Sequence, residues 1–350
     1  MPTKYTVIDY HTHLFPQYMD TILEVMDRNN IYRVINLGMQ RYDESILSAM
    51  LRKQESERIA YRLEEALGSF PADRFAVFFT PNLSDIDAKD FAGNTADELE
   101  RAVERGARGL KIFKSLGLTV KDSSGRRVSV LDPRLDRLWS KAGELGVPVS
   151  MHTADPRAFF TPPGEDNPEY EILRIFPEWS FYGGDYPSWE QLLQEQRELV
   201  ARYRGTNFVC VHFGNASEDL TYVAKLLDDC PNAYVDTAAR VAFLGTHPSE
   251  EVREFFVKYQ DRILFGTDFG VGPLPKAGIF WLGVGDGTEK TLDDCNTYFE
   301  AQWRYFESDE KQMLRPEPIT GKERFDALHL PSDVLEKLYH ANAEQLIPGW

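Results

Sequence analysis

Short runs of β-branched, aromatic and aliphatic residues alternate along the chain with longer segments whose apolar positions recur at helical spacing. The short runs predict eight strands, near Tyr5–Tyr10, Arg33–Leu37, Arg74–Thr80, Gly109–Phe113, Val147–His152, Asn207–His212, Ala233–Thr237 and Ile263–Asp268. Between them, Asp43–Leu67, Ala96–Arg105, Pro133–Leu145, Glu190–Tyr203, Asp219–Leu227 and Ser249–Tyr259 have the spacing of amphipathic helices. Gly109, Gly146-Val147-Pro148 and Pro231 stand at or just ahead of strands, where a helix stops and the chain turns. Strand and helix in repeated alternation predict an α/β fold with a parallel sheet, and eight such units predict a closed (β/α)8 TIM barrel. No sequence repeat or low-complexity linker divides the pattern, so residues 1–350 are expected to form one barrel domain.

Two segments exceed what a minimal barrel needs. Thr153–Trp189, after the fifth strand, is rich in Pro and Gly and carries Phe159, Phe160, Trp179, Phe181, Tyr182 and Trp189. Phe269–Leu330, after the eighth, reads as long and irregular, with Trp281, Trp303 and Phe306. Both leave the C-terminal ends of strands, the rim where barrel enzymes build their sites. Long loops there serve as lids, specificity elements or oligomer contacts, and the later one is a candidate contact for a homodimer.

Composition narrows the picture. Hydrophobic residues make up 42% of the 350, enough for a large core, yet no run approaches the ~20 apolar residues of a membrane span. Met1-Pro2-Thr3-Lys4 lacks the layout of a signal peptide, and three cysteines without close spacing argue against a disulfide framework. A cytoplasmic location is expected. The net charge of −17 repels phosphate backbones, so the expected partner is a small-molecule substrate and not nucleic acid.

Polar residues fall where chemistry would need them. In Val7-Ile8-Asp9-Tyr10-His11-Thr12-His13, a period of two puts Val7, Asp9, His11 and His13 on one face. Two imidazoles so placed at the end of a barrel strand can share a cation. His152 closes the fifth apolar run, His212 the sixth and Asp268 the eighth, so four of the seven histidines stand at equivalent strand ends. Unrelated buried histidines would have no reason to cluster in this way.

These residues resemble the amidohydrolase superfamily: Asp9-x-His11-x-His13 after strand one, His152 and His212 after strands five and six, and Gly266-Thr267-Asp268 after strand eight. The pattern is most similar to the branch containing aminocarboxymuconate semialdehyde decarboxylase, resorcylate decarboxylases and pyrone-dicarboxylate lactonase. The ending, Leu330-Pro331-Ser332-Asp333 through Tyr339-His340-Ala341-Asn342-Ala343, is similar to that branch's closing helix. The resemblance implies His11, His13, His152 and Asp268 around one divalent metal, with His212 as a neighbouring catalytic group. Zinc suits that donor set best, with manganese, iron and cobalt as alternatives. Asp268 is then the proton carrier, and His212 either bonds a developing oxyanion or steadies the nucleophile. Lys111, within strand four and slightly early for the rim, either corresponds to the carboxylated lysine that bridges a second metal in binuclear members of the superfamily or is a buried lysine paired with an acidic neighbour; the similar branch generally lacks that bridge. Asp9 either supports the first-strand ligands or is structural, and Asp236 either faces the pocket or braces the barrel.

Arg240 could clamp a substrate carboxylate or form an inter-loop salt bridge, Arg157 is a second candidate clamp, and Phe159, Phe160 and Trp179 could wall the pocket or pack within their loop. Cys210 reads as a small buried filler; His247, His329 and His340 have surface or capping roles. The expected function is hydrolysis of an amide, ester or lactone by metal-activated water. The alternatives are non-oxidative decarboxylation of an aromatic or unsaturated acid, which shares nearly the same residues, and a barrel that binds metal without catalysis.

Overall fold

A computed structural model describes residues 3–38, 62–274 and 278–350. Its parallel strands β1 (Val7–Leu14), β2 (Ile31–Asn36), β3 (Phe75–Phe79), β4 (Gly109–Ile112), β5 (Val149–Met151), β6 (Phe208–Cys210), β7 (Ala233–Asp236) and β8 (Ile263–Leu264) neighbour one another in sequence order. Phe265–Asp268 then runs alongside β1 in the same direction. The Tyr10 amide donates to Phe265 O at 2.8 Å, and the Asp268 amide donates to His11 O at 2.9 Å. Those two bonds close the ring of eight strands, the barrel that the alternating pattern predicts.

Helices cover the outside: α1 (Met19–Arg28), α2 (Leu63–Ser69), α3 (Phe91–Glu104), α4 (Asp136–Glu144), α5 (Trp189–Arg202), α6 (Leu220–Asp229) and α7 (Ser249–Lys258). Their apolar stripes decide which face is buried. In α5 the stripe is Leu192, Leu193, Leu199 and Val200, with the polar Gln196 buried among them, and Ser188 caps its start by accepting the Gln191 amide. The helix expected over Asp43–Leu67 lies outside the described residues as far as residue 61; α2 occupies its end.

Two apolar layers hold the barrel. The outer one joins alternate strand residues, such as Val34, Leu110, Val149 and Val235, to the helices. The inner one is Ile8, Tyr10, Ile35, Leu37, Ala76, Phe78, Val209, Val211 and Leu264, closed from below by Ala343, Leu346 and Ile347 of the C-terminal segment. Burying each large aliphatic or aromatic side chain contributes ~1.5–3 kcal/mol. Gly109 belongs to this packing: a Cβ there would lie 2.3 Å from the Phe78 ring, so the missing side chain makes room for that ring.

The segment after β8 is more ordered than its sequence suggests. Strand β9 (Phe269–Leu274) pairs with β1, β10 (Gly278–Trp281) returns antiparallel, and α8 (Leu292–Glu307) follows. Thr291 and Asp294 form a reciprocal capping box at the start of α8, and Tyr298, Phe299, Trp303 and Phe306 fill its buried face. No helix among the described residues is long and apolar enough to cross a membrane.

Candidate metal centre

The strand ends reach the mouth of the barrel only because regular alternation breaks there. Ile8 and Tyr10 belong to the inner layer and Val7 to the outer, so the expected common face of Val7, Asp9, His11 and His13 is not formed along the strand. Pairing between β1 and β2 slips between Asp9 and Thr12. That irregularity turns the fully buried His11 inward immediately after Tyr10. Asp9 meanwhile accepts bonds from the Thr267 hydroxyl at 2.5 Å, the Thr267 amide at 3.1 Å and the His11 amide at 3.1 Å. Burial pushes its carboxyl up to about 7. Asp9 thus braces His11 and Asp268 against each other from behind.

A second irregularity places His212. Continued alternation after Val209 and Val211 would aim it outward; instead the chain makes a left-handed turn, with φ of 56° at His212 and Phe213, 71° at Gly214 and 58° at Asn215. Each L-residue in that conformation costs roughly 1–2 kcal/mol. The turn is held by the His212 amide donating to Asp236 Oδ1 at 2.7 Å, and by Asn215 Oδ1, which accepts from the Thr153 amide and Gln196 Nε2. Ala239 and Asp268 are also left-handed, at 52° and 61°. Strain concentrated at the ends of β6, β7 and β8 is the kind that a functional site retains.

Each of the four rim histidines commits one ring nitrogen to an oxygen acceptor. His11 Nδ1 meets Asp236 Oδ2 at 2.8 Å, His13 Nδ1 meets Gly38 O at 3.3 Å, His152 Nε2 meets Asp155 Oδ1 at 3.3 Å, and His212 Nδ1 meets Ala238 O at 2.9 Å. For His11, His152 and His212 the acceptor assigns the proton to that nitrogen and leaves a lone pair on the other, whereas His13 has a second acceptor, Asp268 Oδ1, at 3.2 Å from Nε2. Burial lowers His11 and His212, the latter helped by Arg240, and brings His152 down to about 4, so these rings are neutral near pH 7. Neutral imidazoles with one nitrogen fixed from behind are ready ligands.

Among the described residues, two sets of potential ligand atoms lie within 4.8 Å of one another: His11, His13 and Asp268, and His11, His212 and Asp236. In the first, Asp268 Oδ1 is 3.5 Å from His11 Nε2 and 3.2 Å from His13 Nε2. Tetrahedral ligands at ~2.0–2.2 Å from a zinc ion stand about 3.3 Å apart, so the spacing fits. His11 Nε2 is buried without a hydrogen-bond partner, an orphan that a cation would satisfy. The residues therefore fit a divalent cation. In the second set Asp236 already serves His11 Nδ1 and the His212 and Ala238 amides, which makes it the hub that orients two histidines. His152 belongs to neither set; its ring centre is 4.4 Å from that of His212, which is 4.7 Å from that of His11. His13, His152 and Asp268 side chains are 16%, 15% and 18% exposed, so the side of the cluster opposite His11 opens to the mouth.

Charge around the cluster is uneven. Burial raises the Asp268 carboxyl, but His11, His13 and Lys111 outweigh it and hold the group well below the usual carboxylate range. Lys111 faces inward opposite Ser150 of β5, fully buried, and its Nζ has no hydrogen-bond partner. Burial lowers it from 10.5 to about 8 against the pull of Asp236 and Asp268. A lysine whose folded pKa is depressed binds fewer protons than in the unfolded chain between those values, so stability gained from it rises with pH across that window. In chelator-treated protein, urea unfolding at pH 8 and pH 10.5 should show the wild type gaining on Lys111→Met; equal pH dependence would contradict the buried amine.

The remaining candidates lie as follows. Arg157 is exposed and pairs with Glu190 at 3.0 Å. Arg240 is buried beside His212, donates to Ala239 O and sits near Glu169 and Glu317. Phe159 stacks on Trp179, and Phe160 packs on Phe181, within the loop after β5. Cys210 is a buried free thiol of the outer layer. His247 bonds Ser217 O, His340 meets Glu344, and His329 is exposed. Asp155 has no distinguishing signal beyond standing three residues after His152.

No curated protein sequence matches the chain. Solved structures that share its fold include three with TM-scores of 0.50 or above. They are 2,6-dihydroxybenzoate decarboxylase (16% identity, TM-score 0.52, covering 98% of this chain and 99% of that one), 5-carboxyvanillate decarboxylase from Sphingomonas paucimobilis (12%, 0.51, 98% and 99%) and 4-oxalomesaconate hydratase from Rhodopseudomonas palustris (13%, 0.50, 98% and 95%). The family model described as Amidohydrolase matches residues 8–349, a span that begins just before the His11/His13 pair and takes in every strand-end residue described above. This chain belongs to the amidohydrolase family, an enzyme of hydrolase or lyase type on a metal-dependent barrel.

Proposed function

We propose that the chain hydrolyses an amide, ester or lactone bond in a small molecule, with one zinc ion held by His11, His13, His152 and Asp268. The observation that carries this is the position of Asp268: an ionised carboxylate between two imidazole nitrogens, partly open to the mouth. When bound, a divalent cation supplies Lewis acidity toward a substrate oxygen and acidifies water at the site. Asp268 takes a proton from the attacking water and returns it to the leaving nitrogen or oxygen. His212, with its proton committed to Ala238 O, offers only an acceptor lone pair at Nε2. It can therefore hold the nucleophile's remaining O–H, whereas donation to an oxyanion would need the opposite tautomer. Lys111 stays uncarboxylated and, as an ammonium near pH 7, adds positive charge close to His11, His152 and Asp268.

A second reading, non-oxidative decarboxylation, is favoured by Arg240, whose buried guanidinium lies beside His212 and suits a substrate carboxylate. Zinc-loaded protein assayed on esters, lactones, amides and aromatic or unsaturated carboxylates separates the two. Hydrolysis places solvent ¹⁸O in the product acid; decarboxylation releases CO₂ and places solvent deuterium on carbon. ¹⁸O incorporation is expected. CO₂ release without it would replace the first reading with the second, and turnover in neither class would overturn both.

A further inference from the structure

We propose that Asp155, anchored by Lys114, is a positioning residue that fixes the His152 ring with Nδ1 toward the cation, an inference that rests on the reading of His152 as a ligand. His11 and His212 are tethered through Nδ1, and His13 meets Gly38 O through Nδ1 and Asp268 through Nε2; His152 is tethered the other way round, through Nε2. Asp155 Oδ1 lies 3.3 Å from His152 Nε2, while Asp155 Oδ2 receives Lys114 Nζ. A carboxylate accepts and an ammonium only donates, so the chain from Lys114 to Asp155 to His152 has one consistent direction: donors at both ends, an acceptor between. The proton therefore belongs on His152 Nε2, and the remaining lone pair is on Nδ1.

The surroundings are built to hold this arrangement. The Asp155 side chain is 8% exposed, and its backbone oxygen accepts from Trp189 Nε1 at 3.1 Å. Lys114 Nζ lies 5.8 Å and 5.6 Å from the ring centres of Trp179 and Phe181. These aromatics belong to the loop after β5, so the loop's packed interior is tied through Lys114 and Asp155 to one rim histidine. That connection gives the aromatic-rich loop a part in shaping the metal centre.

Two measurements test this. In chelator-treated, ¹⁵N-histidine-labelled wild type, long-range ¹H–¹⁵N correlation, with the His152 signals assigned by their loss in His152→Gln, should show His152 protonated at Nε2. In Asp155→Asn, which keeps shape but loses charge and places an amide against Lys114 or His152, the Kd for zinc in chelator competition should rise about 10–100-fold. The urea midpoint of the metal-free variant should stay near wild type. A proton on Nδ1 in the wild type, or an unchanged zinc Kd in a folded Asp155→Asn, overturns the proposal. Should that variant fail to fold, the wild-type spectrum decides alone. A wild type that binds no zinc would instead remove the hydrolase reading, and the His152 spectrum would still report whether Asp155 sets the ring.

Discussion

Asp268→Asn is expected to lower turnover about 10²–10⁴-fold, the usual contribution of a positioned proton carrier. The substitution preserves shape, and the amide oxygen can still stand near His11 and His13. It removes the negative charge that faces those two rings and Lys111, and with it the ability to take a proton from water. KM should change far less than kcat, because the lost interaction acts on the proton in flight. The left-handed φ of 61° at Asp268 suits asparagine as well as aspartate, so the fold should survive. A variant with wild-type kcat would remove Asp268 from the chemistry.

Asp236 is expected to produce the largest loss of stability. Its carboxylate is fully buried and accepts from His11 Nδ1, the His212 amide and the Ala238 amide. Asp236→Ala leaves three buried donors without an acceptor, and each such loss costs ~1–3 kcal/mol, for a total on the order of 3–5 kcal/mol after partial relaxation. The urea midpoint of metal-free protein should fall accordingly. Asp236→Asn distinguishes orientation from bulk stability. An amide NH₂ facing His11 would favour the ring form with its proton on Nε2, so zinc affinity should drop about 10–100-fold even where the fold is largely kept. If both variants retained wild-type stability and zinc binding, Asp236 would not be the hub of the site.

The barrel and the site were legible to different degrees. The eight strands and most helices follow from hydrophobic spacing, because burial against a cylinder of strands imposes that spacing directly. His11, His13, His152, His212 and Asp268 stood out as polar endings of apolar runs, and the fold brings all five to one rim. How they get there was not legible. His11 depends on a slipped register in β1, and His212 on a left-handed turn, and both break the alternation from which facing is read. Asp236 left two readings open and serves both, facing the site while bracing the barrel. Asp155 was missed because its meaning depends on Lys114, 41 residues away in sequence. The segment after β8 read as irregular, although Thr291, Asp294 and the spacing of Tyr298, Phe299, Trp303 and Phe306 carry the signature of α8. Its aromatic density masked that spacing.

Convergence of the strand-end histidines on one cation is tested most directly by metal analysis of protein purified without chelator, wild type beside His11→Ala. His11 carries the buried, unpartnered Nε2, and its loss removes a donor from both candidate ligand sets. The wild type should hold about one equivalent of zinc or a similar divalent cation, as a site of imidazoles and a carboxylate does, and His11→Ala should hold little. A metal-free wild type, or a variant that keeps its full equivalent, would contradict it.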